Sequence, residues 1–396
     1  MTKEKDYFIQ ILSDHLHGRE TARRSDVDWN ALAELARIHQ VNGIFFQQCG
    51  AFLPAPLAEA FEGRHATELF YYYNRITLFE TIVGVLSARG IPFYTVKGLD
   101  LAQFYPVPAL RTMGDCDIVV RPKDKRKAHE IMQELGFRVY LKEDKDWMYF
   151  KDRMEFEIHD HLLYDEPGND RESRDLTDTA WEHATPTGEG TRYALDWNFH
   201  CLFLLLHLKK HLIHSGVGFR QFMDIALLAR QDCVDWDVVR EMLIRLDLLK
   251  FGQTCFGLLH RWFQTPLLLD AEPLSESFAD EAAEKIFASG IFGFQEERQE
   301  EIRRMNAITQ KRGPRWWVRV RNVIGGVFPS YRNMRFSRTY AFLDGKPWLL
   351  PAAWIYRFYR IVRYPMGEHG KSILRDAWIP DEQLDERERE LARWGL

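Results

Sequence analysis

Gly114-Asp115-Cys116-Asp117-Ile118-Val119-Val120-Arg121 joins two acids, one residue apart, to a short β-branched run. Side chains alternate across a strand, so acids at i and i+2 at its start fall on one face. Carboxylates paired in this way can share divalent cations. Mg²⁺ takes oxygen ligands and binds through one or two carboxylates together with substrate phosphates. At a sheet edge such a pair points to phosphoryl or nucleotidyl transfer, with two ions about 3.5–4 Å apart bridging the attacking and leaving oxygens. For the tripeptide by itself, the plain alternative is a solvated Asp-x-Asp at a strand start.

The surroundings favour the chemical reading. Upstream, Ile91-Pro92-Phe93-Tyr94-Thr95-Val96-Lys97-Gly98 reads as a short strand that opens a helix from Leu99 to Phe104. Gly98 permits a tight backbone turn, amides at a helix start suit a phosphate, and Lys97 adds a point charge. Downstream, a helix is predicted from Asp124 to Leu135, closed by Gly136. Strands are predicted at Phe137 to Leu141, Trp147 to Lys151 and Met154 to His159. In the last of these Glu155, Glu157 and His159 share one face, with Phe156 and Ile158 on the other. Three carboxylates from two strands thus converge on one point.

In these features the segment Lys97–His159 resembles the catalytic core of the DNA-polymerase-β-like nucleotidyltransferase superfamily. It is more closely similar to a bacterial family of uncharacterised nucleotidyltransferases, whose pattern is matched by Lys97-Gly98, Arg111, Gly114-Asp115-Cys116-Asp117 and Glu157-Ile158-His159. The resemblance implies an α+β fold, with a small mixed β-sheet core and flanking helical regions at both ends. It implies that Asp115 and Asp117 carry metal, with Glu157 as the third carboxylate. It also implies Mg²⁺ or Mn²⁺ as cofactor and a nucleoside triphosphate, ATP in the first instance, as co-substrate. Better-known superfamily members carry Gly-Ser where this chain has Lys97-Gly98; that serine helps to hold the triphosphate, and Lys97 would substitute for it by charge. Cys116 faces away from the aspartates as a small buried residue.

The 396 residues suit two or three domains. With 46% hydrophobic and 14% aromatic residues the chain can bury a large core, and a formal charge of −5 argues against a nucleic-acid coat protein. Five cysteines without a C-x-x-C pair suit a reducing compartment. No apolar signal core or spanning run is evident, so the expected location is the cytoplasm, with peripheral membrane contact open.

The expected division is an N-terminal helical region (1–88), the nucleotidyltransferase core (89–165), a linker and helical domain (166–310) and a basic, aromatic-rich C-terminal region (311–396). Helices are predicted at Tyr7 to His17, at Trp29 to His39 behind an Asp28 cap, and at Leu57 to Arg89. The cluster Phe70-Tyr71-Tyr72-Tyr73 in the last reads as core or interdomain packing in preference to a base-stacking platform. Asp165 to Arg192 is the best linker candidate.

Beyond it, Asp196 caps a helix running to Ser215. His200, His207, His211 and His214 recur along one face of it. That face reads as interdomain packing, as a substrate-contacting surface turned toward the catalytic sheet, or as a zinc site. Arg220 and Asp224, in a turn that also resembles the family, read either as an i,i+4 pair or as part of the site, where the resemblance implies that Arg220 and His211 reach across and hold the nucleotide or acceptor.

Between 311 and 365 twelve basic residues face one acid, Asp344, with aromatics interleaved. Arginine stems packed over rings, a basic mouth for a phosphorylated acceptor, a membrane interface and a nucleic-acid surface all fit this composition. A charged solvated helix is expected from Asp381 to Arg393.

The resulting expectation is transfer of a nucleoside monophosphate to an acceptor of unspecified class (small molecule, peptide or protein), releasing pyrophosphate. Asp115, Asp117 and Glu157 would act at the metals, and Lys97, Gly98 and Arg111 at the leaving pyrophosphate. The rivals are a non-catalytic nucleotide- or partner-binding protein and a phosphohydrolase using His159-Asp160. Because crowded carboxylates repel, replacing Asp115 or Asp117 by Asn is expected to leave the metal-free protein no less stable.

Overall fold

The computed structural model describes residues 1–142, 147–164, 169–290, 302, 305–306, 308–309, 314–334, 338–343, 345–363 and 379–396. Over these the chain is α+β, a small mixed sheet flanked by helices. Helices α1 (Lys3–Leu16), α2 (Trp29–Ile38), α3 (Asn42–Cys49) and α4 (Ala55–Ala88) come first. Strands β1 (Phe93–Val96), β2 (Asp117–Val120), β3 (Arg138–Lys142), β4 (Trp147–Lys151) and β5 (Met154–His159) follow, with α5 (Gly98–Ala102) and α6 (Lys125–Glu134) between them. Then come α7 (Arg171–Thr177), a ribbon of β6 (Ala184–Pro186) and β7 (Tyr193–Leu195), and α8 (Trp197–His214), α9 (Phe219–Leu228), α10 (Trp236–Arg245), α11 (Leu249–Phe263) and α12 (Glu276–Ser289). Asp28 and Asp196 cap α2 and α8, each accepting two backbone N–H groups.

The sheet order is β1-β2-β5-β4-β3. β2 and β5 run parallel, and every other neighbouring pair is antiparallel. Alternation then sorts the side chains. Ile118, Val120, Phe156 and Ile158 are buried on one face in a core shared with Phe79, Ile82 and Leu86 of α4 and Ile131 and Met132 of α6. Tyr94, Val96 and Val119 join a second, larger core with Leu202 and Leu205 of α8 and Phe219 and Phe222 of α9. Asp117 lies two residues before Val119 and therefore shares the second face, the one covered by α8.

Two compact units divide the chain: Met1–Gln295 with Trp394–Leu396, and Glu296–Arg393. The sheet and α1–α12 lie in the first. The second contains the helices Arg315–Val327 and Leu350–Arg363 and most of Asp381–Trp394. Lys311, Arg312, Arg335, Phe336 and Asp344 of the basic region lie outside the described residues.

Two expectations change. Phe70 and Tyr73 are 63% and 61% exposed, so α4 buries its Phe79–Leu86 portion and leaves part of its aromatic cluster in solvent. The stretch read as a linker carries α7, β6 and a ribbon partner; residues 165–168 lie outside the described set. Asp170 caps α7, and its carboxylate also takes the Lys209 ammonium of α8 at 2.6 Å, so local polar pairing orders a segment that composition marks as loop.

His39, just after α2, is fully buried among Phe8, Phe219 and Phe287, and neither ring nitrogen has a hydrogen-bond partner among the described residues. Burial pushes its pKa down to about 4, while the unfolded chain titrates near about 6.5. The unfolded state therefore binds the proton more readily, and this contribution to stability is lost as pH falls below that value. His39→Phe is expected to raise stability by about 1–3 kcal/mol, the usual cost of an unpaired buried polar group. Its advantage over the parent should widen between pH 6.5 and 4.5 in thermal melts, because one proton-linked loss has been removed.

Candidate active site

In the parallel pairing of β2 with β5, Asp117 stands opposite Glu157 and Val119 opposite His159. The sheet register thus delivers an acid from each strand to one point, with a histidine beside them. His159 Nε2 lies 3.0 Å from Asp117 Oδ1 and 3.0 Å from Glu157 Oε2. Donor atoms of Asp117, Glu157 and His159 all fall within 4.8 Å of one another, the one such group of three or more found among the described residues. Asp115 stands outside that group. It precedes the first residue of β2, so strand alternation does not bind it to the face of Asp117; its side chain lines the cavities on both sides of the acids.

Lys97 closes the cluster from β1, its Nζ 3.0 Å from Asp117 Oδ2. Burial by itself would raise the Asp117 carboxyl, but Lys97 and His159 prevail and hold it well below the usual carboxylate range. Burial likewise works to lower Lys97, and Asp117 and Asp115 reverse it, keeping the ammonium charged. The tight turn falls on Lys97 and not on Gly98: Lys97 has φ +58° and ψ −125°, a region that favours glycine. Such a conformation costs about 1–3 kcal/mol and persists only where surrounding structure imposes it. Here the Lys97 backbone N–H donates to His200 Nε2 at 2.9 Å, and the side chain is tied to Asp117. His200 is stacked on Trp197, and burial pushes its pKa down to about 3, so it remains a neutral acceptor.

Glu155, on the same face of β5, is directed toward the other acids. Burial, then the nearby Glu157 and Asp115 carboxylates, push it up to about 7. Four carboxylates are therefore gathered around one lysine and one histidine, a concentration of negative charge suited to a hard divalent cation.

Two cavities adjoin the cluster. One, of ≈ 260 Å³, has Lys97, Gly98, Gly114, Asp115 and Glu155 on its sheet side and His207, His211 and Arg220 across from them. The other, of ≈ 230 Å³, is bounded by Asp117, Glu157, His159, Tyr164, Phe203 and Lys210. The face of α8 that bears His207 and His211 thus turns toward the acid-bearing sheet. His207 and His211 meet Nε2 to Nε2 at 3.0 Å, and His211 Nδ1 lies 2.9 Å from Ser215 Oγ. Burial lowers both pKa values, that of His211 to about 4, so neither is charged at neutral pH.

Arg220 and Asp224 do not pair with each other. Asp224 instead holds Arg111 through two bonds, Nε to Oδ1 at 2.9 Å and Nη2 to Oδ2 at 2.8 Å, and also accepts from Tyr105 Oη. Arg220 Nη1 donates to Thr112 O at 2.8 Å and to Thr112 Oγ1 at 3.1 Å, both neutral partners. Asp224 is already neutralised by Arg111, so Arg220 brings positive charge to the larger cavity that it lines. Arg75 of α4 was not legible as a site residue. It is buried and donates to Met113 O and, at 3.1 Å, to Gly114 O, fixing the turn into Asp115. Nothing marks it in the sequence, because a mid-helix arginine is ordinarily solvated.

A five-stranded mixed sheet with paired acids on adjacent parallel strands, flanked by a lysine turn and an arginine, defines a nucleotidyltransferase-type protein. Residues 25–264 match the family described as uncharacterised nucleotidyltransferase, and the chain belongs to that family. No curated protein matches it. Among solved structures it is similar to the antibiotic-resistance factor ANT(2'')-Ia, known from a solution structure, at 12% identity and a TM-score of 0.33. That likeness covers 44% of this chain and 91% of the other. No described helix is long and apolar enough to cross a membrane.

Proposed function

We propose that the protein moves a nucleoside monophosphate from a nucleoside triphosphate, with ATP as the first candidate, to an acceptor hydroxyl, phosphate or amine. The observation that carries this reading is the in-register meeting of Asp117 and Glu157 beside Lys97, between two cavities. The donor set fits a hard cation such as Mg²⁺ or Mn²⁺: carboxylate oxygens from Asp117 and Glu157 lie within 4.8 Å of each other, with Asp115 lining both cavities. Asp115, Asp117 and Glu157 would hold it, and His159 would orient the last two. When bound, such an ion supplies Lewis-acid stabilisation of charge on the reacting phosphoryl group.

The chain's own residues account for the rest. The larger cavity suits the triphosphate, since Lys97, Arg220 and the neutral donors His207 and His211 converge there. Lys97 would shift its charge from Asp117 toward the leaving pyrophosphate, while Arg111, compensated by Asp224 in a buried ion pair, would hold the cavity wall in place and add no net charge. The smaller cavity would take the acceptor. A bond forms between the acceptor oxygen or nitrogen and the α-phosphorus as the α-phosphorus–oxygen bond to pyrophosphate breaks. Glu157 would receive the acceptor's proton.

Pyrophosphate release is the test, measured with each triphosphate, Mg²⁺ or Mn²⁺ and a cell extract as acceptor source. Release with one triphosphate and labelling of an extract component is the expected result. Absence of turnover with every triphosphate would overturn the catalytic reading. Arg220→Ala should weaken Mg²⁺–triphosphate binding about tenfold or more, the loss of one charge-assisted contact worth about 1.5–3 kcal/mol. Because its present partners are neutral and solvent can replace them, the melting temperature should change little. A large drop in melting temperature with unchanged affinity would instead make Arg220 structural.

A further inference from the structure

We propose that the helices Arg315–Val327 and Leu350–Arg363 dock the protein on an anionic lipid surface, without crossing it. Together they contain six arginines and no acid. They also leave large apolar side chains in solvent. In the first helix Trp316, Trp317 and Ile324 are 64%, 48% and 52% exposed; in the second Ile355, Phe358 and Tyr359 are 72%, 64% and 59% exposed.

The inward sides of both helices are fixed by contacts within their own unit. Arg315 and Arg319 form ion pairs with Asp381, Asp385 and Glu388, and Val318 between them is buried. The row Trp317, Arg321, Ile324, at steps of four and three, is left on the outward side. In the second helix Ala353 is buried and Trp354 Nε1 donates to Pro329 O at 2.8 Å. Ile355, Phe358 and Tyr359 then project together at i, i+3 and i+4, and Arg360, one residue further round the helix from Tyr359, is exposed as well.

Exposed apolar surface of this kind marks an interaction site, and its chemistry selects the partner. Tryptophan and tyrosine rings suit the headgroup level, aliphatic side chains the acyl boundary, and arginines the phosphates of acidic lipids. A nucleic acid would engage the arginines and rings by charge and stacking but would leave Ile324 and Ile355 unused. A second copy of the same face would bring the like-charged Arg321 and Arg360 of two chains together, which repel. An anionic bilayer uses all three components at once.

The test is flotation of the full chain with phosphatidylcholine vesicles, with and without phosphatidylserine. Binding is expected only where phosphatidylserine is present, and it should weaken as salt is raised. Ile355→Ser with Phe358→Ser should reduce it about tenfold or more, and so should Arg321→Glu with Arg360→Glu, because insertion and charge both contribute. These side chains are exposed, so both double variants should keep the parent melting temperature, which separates lost docking from lost folding. No flotation on phosphatidylserine vesicles would overturn the proposal. So would full flotation of both variants, binding of single-stranded RNA in preference to vesicles, or a dimer in solution that Ile355→Ser dissolves.

Discussion

Asp117→Asn is expected to reduce pyrophosphate release about a thousandfold, a loss of about 4 kcal/mol of transition-state stabilisation at about 1.36 kcal/mol per decade. The substitution keeps shape but removes the charge that Lys97 neutralises and that a bound cation would share. Steady-state release of pyrophosphate from the preferred triphosphate, parent against variant, measures it. A variant at the parent rate would refute metal binding by this acid.

Stability should move as well, in the direction opposite to the one that carboxylate repulsion suggests. Without metal, Asp117 is already neutralised by Lys97 at 3.0 Å and held by His159 at 3.0 Å. Losing its charge strands a buried ammonium, so Asp117→Asn should melt lower than the parent. Asp115 has no ion pair among the described residues, and charges of both signs surround it: Glu155 on one side, Lys97, Arg75 and Arg220 on the others. Repulsion and attraction oppose each other there, so Asp115→Asn should melt close to the parent. For Asp117 the depressed carboxyl contributes stability above its unfolded value near about 3.9, lost as pH falls through the lower folded value. The melting difference between parent and Asp117→Asn should accordingly shrink in strong acid.

Arg111→Met is expected to destabilise the protein by about 3–5 kcal/mol, the cost of leaving one member of a buried ion pair alone. Arg111 and Asp224 are each 6% exposed as side chains and join two distant parts of the chain. The Tyr105 hydroxyl would remain as a partner of Asp224 but carries no positive charge. The combination Arg111→Met with Asp224→Leu should recover most of the loss, because no uncompensated charge then stays buried. Urea unfolding of the two single variants and the double variant measures the coupling. Strictly additive losses would show that the pair does not act as a unit.

Much of this protein is determined locally, and there the sequence sufficed. The strand Met154–His159 alternates apolar and polar residues, and a period of two leaves one way to place it against a core. That constraint put Glu157 and His159 on a shared face before any partner strand was known, and Ile118-Val119-Val120 did the same for Asp117. Helix limits at Asp28 and Asp196 were legible because a capping carboxylate answers backbone N–H groups only two or three residues away. The family motifs added the chemistry, since Gly-Asp-x-Asp and acid-apolar-His name residue types that hold metal.

What depends on contacts across long sequence separation was decided only by the tertiary structure. Asp224 could face Arg220 on its own helix, but burial against Arg111, 113 positions away, provides the bidentate partner. The turn strain passes to Lys97 because His200, 103 positions away, accepts its N–H and Asp117 takes its ammonium. Asp115 and Asp117 look equivalent as i and i+2, yet only Asp117 is inside the strand, so pleating aligns one and frees the other. Which arginines of the basic tail are neutralised, and which stand beside exposed rings, likewise follows from the helix that Asp381 begins. Local pattern specifies the face on which a side chain lies; the charge or cavity it meets there is set by packing.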